Sequence, residues 1–206
     1  SDNSYQSYQP DTSNPLLKKS IDFRSITKRP DGKLYYSFST RFYTYDESSD
    51  SLVLVIDRDS MLLNVSQVNR ISSDDRFLFI SSEASGLLRF DYATHKVIRL
   101  ESPDMNKDQV TQNALIRRFA DGRYVVSDYK GFYLLDDSMK FTTFYNDKNG
   151  LSDNKICNMH VDSRGKIWMA TFNGLSSFHP GTKVFVNYFI QDGLMTDSQI
   201  LAKRDR

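Results

Sequence analysis

A single cysteine, Cys157, stands in 206 residues, so neither an internal disulfide framework nor a cysteine-built zinc cluster is available. The role expected of it is that of a small buried hydrophobe. An excess of charge of either sign is also missing. Twenty-seven Lys and Arg against 26 Asp and Glu leave +1, which supplies no long-range field to draw in nucleic acid or an anionic membrane, and no nucleic-acid partner is expected. No run approaches the ~18–20 apolar residues of a membrane span, so direct membrane insertion of this chain is not expected. The Ser-, Gln- and Tyr-rich start does not have the make-up of a signal peptide. There is no initiator Met, as expected where a leader has been removed or where the chain was cut from something longer. Chemical signatures are absent too: no Ser nucleophile elbow, no paired-His metal motif and no phosphate loop. His95, His160 and His179 each fall in a strand or turn context. The expectation is a chain that is not itself an enzyme, with no catalytic residues, no metal and no cofactor.

What is present is aromatic and β-favouring. Twelve Tyr and 14 Phe are spread through short apolar runs separated by Gly, Pro, Ser and Asp, the pattern of many strands joined by turns. The runs repeat. DGKLYYSF from Asp31, DDRFLFIS from Asp74, DGRYVVSD from Asp121 and RGKIWMAT from Arg164 recur at intervals of 43, 47 and 43 residues. A second landmark follows each: RFYTYD from Arg41, GLLRFD from Gly86, GFYLLD from Gly131 and GLSSFH from Gly174, at offsets of 9, 11, 9 and 9 residues from the second residue of the first landmark. Two landmarks at a near-constant separation over a period of 20–50 residues indicate a repeat architecture. The second copy departs most, with Asp75 in place of the turn glycine.

In the fourth copy, Ile156 to Val161 reads as a first strand, Lys166 to Thr171 as a second, Leu175 to Phe178 as a third and Val184 to Phe189 as a fourth. DSRG, FNG and HPGT are the reversals between them. The central runs KIWMAT, RYVVS and RFLFIS are apolar on successive positions, which requires both sheet faces to be covered. Four-stranded sheets stacked face to face around an axis satisfy this, and a two-sheet sandwich would leave the period unexplained. The basic residue after each turn, Lys33, Arg76, Arg123 or Lys166, reads as a solvated strand end with a packed stem. Trp168, between Ile167 and Met169, reads as core.

Residues Asn149 to Leu194 then show a more specific pattern. GLSDN at Gly150 to Asn154, D-x-x-G-x-I-W at Asp162 to Trp168 and T-x-x-G-L at Thr171 to Leu175 resemble the two-component-regulator propeller repeat, the blade unit of sensor domains in bacterial hybrid two-component systems. The three earlier copies lack the Trp, and the first has Arg41 at the Gly position. The resemblance implies an all-β, β-propeller fold: about four four-stranded antiparallel blades with partial blades at both ends, an incomplete propeller. The expected division is an outer strand and link over 1–17, blades over 18–60, 61–103, 104–149 and 150–191, and the start of a next blade over 192–206. It also implies a periplasmic sensor segment that binds an oligosaccharide or other small ligand, contacts other blades of the same sensor, and signals to a histidine kinase elsewhere in the polypeptide. Exposed blade edges imply self-association or a dimer. A protein-interaction scaffold of the WD-repeat type is the alternative.

Alternating strand connections place the second-to-third loops and the links between blades on one end of such a propeller. That end carries Arg41, Glu83, Tyr129, Lys130, Phe172 and Asn173, with Ser152 to Asn154 beside them. Aromatics there suit sugar stacking, and Asn, Glu and Lys suit hydroxyl groups.

Overall fold

The computed structural model describes residues 23–38, 41–56, 68–82, 85–101 and 114–196. Glu83 and the two terminal partial blades, apart from residues 192–196, lie outside them. Sixteen strands form four antiparallel sheets, each a simple meander in chain order. Blade one holds β1 (Phe23–Lys28), β2 (Leu34–Phe38), β3 (Arg41–Asp46) and β4 (Ser51–Ile56). Blade two holds β5 (Val68–Ser73), β6 (Phe77–Ser82), β7 (Gly86–Asp91) and β8 (Val97–Arg99). Blade three holds β9 (Ile116–Arg118), β10 (Tyr124–Asp128), β11 (Gly131–Leu135) and β12 (Phe141–Tyr145). Blade four holds β13 (Ile156–Val161), β14 (Ile167–Thr171), β15 (Leu175–His179) and β16 (Val184–Tyr188).

The runs of consecutive apolar residues behave as their pattern requires. All six residues of β6 and all five of β11 are buried, because these strands, in blades two and three, have a blade, not water, against both faces. Three hydrophobic clusters result, one at each blade boundary. Phe42 and Ile56 meet Leu78, Ile80 and Leu88 between blades one and two. Phe77, Phe79 and Leu87 meet Tyr124, Val126 and Leu135 between two and three. Val125, Phe132 and Tyr145 meet Ile167, Met169 and Phe178 between three and four. No such cluster joins blade four to blade one among the described residues, so the blades form an open arc of a propeller. The fourth strands form the outer rim, with Val53, Leu54, Val184 and Val186 exposed.

Each third-to-fourth turn repeats one backbone device. Asp50, His95, Met139 and Lys183, none of them Gly, all adopt left-handed φ between 47° and 66°. The last residue of the second landmark makes this possible by capping the turn. Asp91 Oδ1 accepts from the N–H groups of Ala93 and Thr94, both at 2.9 Å, and Asp136 Oδ1 accepts from Lys140 N–H at 2.9 Å. In blade four His179 takes the same part, its Nδ1 accepting from Gly181 at 3.2 Å and Thr182 at 3.3 Å.

Blade two departs from the repeat at its first turn. Arg29, Phe119 and Asp162 close the equivalent turns onto the carbonyls of Lys33, Arg123 and Lys166, whereas Asp74 N–H closes onto Phe77 at 3.1 Å. That turn is one residue shorter, so Phe77, and not Arg76, occupies the position of the other three basic residues. The Asp74 carboxylate organises the tighter turn by accepting from Arg76 N–H at 2.8 Å and Phe77 N–H at 2.7 Å. Blades one and three then grip it. Arg29 donates to the Asp75 carbonyl at 3.0 Å, Arg118 pairs with the Asp75 carboxylate, and Tyr124 donates to Asp74 Oδ2 at 2.8 Å.

Two further residues differ from expectation. Trp168 is only half-buried and belongs to none of the three clusters: it lies on the face of β14 turned away from blade three. There it stacks on Tyr188 at 6.1 Å with its indole N–H donating to Asp162 Oδ2 at 3.1 Å. Cys157 sits at the bulge between Ile156 and Asn158, partly buried and not enclosed in the core.

Candidate functional site

The link from blade three to blade four is tightly built. Asn146 opens a single 3-10 turn, Asp147–Asn149, with its side chain accepting from Lys148 N–H, and Gly150 closes it at φ 114°. A Cβ on Gly150 would press on the Phe185 ring at 3.3 Å, so the GL pair lets Leu151 reach the core beneath. The next residue, Ser152, is tied down by hydroxyl contacts: its Oγ lies 3.0 Å from Thr171 Oγ1 and 2.7 Å from Ser176 Oγ. Ser176 in turn donates to Asn187 Oδ1 at 2.8 Å, and Asn187 Nδ2 donates to the Gly150 carbonyl at 2.9 Å. Thr171, Ser176 and Ser177 are buried; this network satisfies the hydroxyl groups of the first two, and that of Ser177 donates to the Val186 carbonyl at 3.3 Å.

That scaffold fixes Lys155. Its N–H donates to Asp153 Oδ1 at 2.7 Å and its carbonyl accepts from Phe172 N–H at 3.2 Å. The Lys155 ammonium lies 5.6 Å from the Phe172 ring centroid and 6.0 Å from that of Tyr129. Tyr129 and Phe172 are 65% and 55% exposed, although large aromatic side chains are ordinarily covered. The arrangement is therefore two solvent-facing rings from adjacent blades with a cation between them, within the range of cation–π attraction.

The turns that carry the rings are constrained by their glycines. Gly131 (φ 142°) and Gly174 (φ 92°) lie so close to the outer strands that a Cβ would come within 2.1 Å of the Tyr145 carbonyl oxygen and 2.5 Å of that of Tyr188. Only glycine fits, and Tyr129 and Phe172 stay at equivalent positions two residues before it. Beside Tyr129, burial raises the Asp128 carboxyl above its ordinary value, against the opposing effects of the Tyr129 N–H and the Lys130 charge.

Of the sequence-predicted residues, Tyr129 and Phe172 come together, with Lys130 exposed next to the first. Asn173 directs its amide toward the Ser152 carbonyl at 3.5 Å. Arg41 opens β3 on blade one, two blades away, and Glu83 lies outside the described residues. Lys155 went unpredicted, yet its place immediately after the Ser152 to Asn154 segment, facing the predicted turns, is the signal that identifies it.

The two component regulator propeller family matches residues 150–173, the segment that holds Ser152, Lys155 and Phe172. Among curated proteins no sequence match is found. Among solved structures the chain is similar to an extracellular domain assigned to a hybrid two component system of B. thetaiotaomicron, with a TM-score of 0.68 and 18% identity over 86% of this chain and 26% of that one. A second such domain from the same organism gives a TM-score of 0.51 with 17% identity, covering 82% of this chain and 30% of that one. The WD40 repeats of RRP9 give 0.66 at 10% identity, covering 84% and 52%. At these identities the likeness is one of fold. The chain spans about a quarter of the first of these proteins, 26% of its length.

Proposed function

We propose that this chain is a ligand-sensing extracytoplasmic propeller segment of a hybrid two-component sensor. In this reading it resides in the periplasm and binds an oligosaccharide at the loops between blades three and four. Binding there biases a histidine kinase elsewhere in the protein and so regulates transcription. The observation that carries the reading is the pair of exposed rings, Tyr129 and Phe172, flanking Lys155. Sugar rings present apolar C–H faces for stacking and hydroxyls for an ammonium or amide, and the cluster offers both. The repeat match over the same segment and the extracellular two-component neighbours support it.

The test is calorimetry or glycan-array binding with the full-length protein and with Tyr129→Ala and Phe172→Ala. Each replacement is expected to weaken binding of any glycan that binds by about tenfold, the equivalent of one aromatic contact. Unchanged affinity in both variants would refute the site. A blank glycan screen would turn attention to the scaffold reading, for which the apolar edge of β16, with Val184 and Val186 at 53% and 42% exposure, provides a contact surface.

A further inference from the structure

The innermost strands β1, β5, β9 and β13 together wall a cavity of about 560 Å³, within the size range of small-molecule sites. Its charge is one-sided. Among the described residues, Arg24, Lys28, Arg70, Arg117 and Arg118 line it against one carboxylate, that of Asp74. Asp74 is already engaged by the Tyr124 hydroxyl and two backbone N–H groups, and Arg118 is paired with Asp75. Among the described residues Arg70 and Arg117 have no such partner. The described hydrogen bond of the Arg117 guanidinium goes to the carbonyl of its neighbour Ile116 at 2.8 Å, and among the described residues no carboxylate bonds to either group.

Holding two guanidiniums partly out of water near one another without a counter-ion is unfavourable. Burial lowers both from the ordinary arginine value, and the charge of Arg70 adds to the effect on Arg117. The net charge of +1 means that this local excess is balanced elsewhere on the chain, which leaves little long-range field to draw in a polyanion.

We propose that this axial cavity binds a small anion, a ligand that presents a carboxylate, sulfate or phosphate group to the guanidinium forks of Arg70 and Arg117. Planar guanidiniums match the oxygen spacing of all three groups and donate two parallel hydrogen bonds to each. Asn69, Ser72 and Asn158 in the same wall provide amide and hydroxyl groups for the uncharged remainder. The assignment does not depend on the oligosaccharide reading, which concerns the loops around Lys155.

Titration calorimetry of the full-length protein with inorganic sulfate, inorganic phosphate and glucuronate, at constant ionic strength in chloride, separates the three sources. At least one is expected to bind saturably. Arg70→Gln and Arg117→Gln are each expected to weaken it by about tenfold or more, as for a lost charge-assisted bond, while Lys140→Gln, which removes an exposed charge outside the cavity, leaves it unchanged. In the wild-type protein the same anion is expected to protect Arg70 and Arg117 from phenylglyoxal, read by mass spectrometry, which keeps the proposal testable even if a variant fails to fold. The absence of saturable heat from all three anions, undiminished affinity in Arg70→Gln, or equal modification with and without the anion would overturn it.

Discussion

Replacing Tyr124 by Phe removes one hydroxyl at the boundary between blades two and three and leaves everything else in place. The phenol donates to Asp74 Oδ2 at 2.8 Å while its ring packs edge-on against Phe79, with centroids 5.7 Å apart. A hydrogen bond to a charged acceptor is worth about 1.5–3 kcal/mol. Asp74 keeps its two backbone donors, so no carboxylate is stranded, and a value at or just below the low end of that range, about 1–2 kcal/mol, is expected. For a chain of this size that corresponds to a fall in melting temperature of about 2–8 °C. Truncation to Ala also empties the ring's place and is expected to cost about 3–5 kcal/mol. Chemical denaturation monitored by circular dichroism measures both.

Alkaline pH gives a second readout of the same bond. Burial, then the hydrogen bond to Asp74 and its charge, raise the Tyr124 phenol above its ordinary value. The folded state therefore holds that proton to higher pH than the unfolded chain. This contribution is whole below about pH 10, the ordinary tyrosine value, and is lost as pH rises beyond it. Tyr124→Phe is expected to shrink that decline without abolishing it, because burial also raises Tyr92. A loss below about 0.3 kcal/mol, within the noise of surface substitutions, together with an unaltered alkaline decline would refute the assignment of this hydrogen bond as a tie between blades.

Gly174→Ala is expected to destabilise strongly, by about 3 kcal/mol or more, since the new Cβ meets a backbone oxygen at 2.5 Å in a left-handed conformation. Lys183→Gly is expected to do the reverse by up to about 1 kcal/mol, relieving a non-glycine residue at φ 58°; thermal melts read both. Trp168 is the one tryptophan, and its indole donates to Asp162, so its fluorescence reports the protonation of that carboxylate. Burial alone raises the Asp162 carboxyl, but the bonds from Trp168, Lys166 and Arg164 outweigh it and leave it lowered. The emission change is accordingly expected below about pH 3.9, the ordinary aspartate value, with the matching share of stability present above that pH and lost as pH falls through the lowered one. Asp162→Asn is expected to abolish the transition, and a midpoint at or above the ordinary value would contradict the geometry.

Strands and turns were legible in the chain because burial on both faces writes unbroken apolar runs, and each reversal needs Gly or Asp at a fixed place. Blade four reads within a residue of its observed strands for that reason. The slip in blade two was not legible, because Asp75 replaces the marker glycine and the residue count alone cannot tell a shorter turn from a longer strand. Trp168 misled through its neighbours: Ile167 and Met169 face blade three, but alternation turns the residue between them the other way. The ring pair could be proposed from loop position, whereas Lys155 needed the fold to bring it between them. The cation-lined cavity was invisible to composition, since five basic side chains on three different strands cancel within a net charge of +1.

The three boundary clusters make the molecule a linear chain of nearest neighbours, in which stability is approximately a sum of blade and boundary contributions. Among the described residues, blades two and three each belong to two clusters, and blades one and four each to one. Amide exchange should be slow in β6 and β10, whose residues are largely buried between boundary clusters, and faster in the more exposed outer strands β4 and β16. The loops around Lys155 straddle the boundary between blades three and four. A ligand held across them would brace one blade against the next, turning occupancy into a change in how far cooperativity extends along the arc.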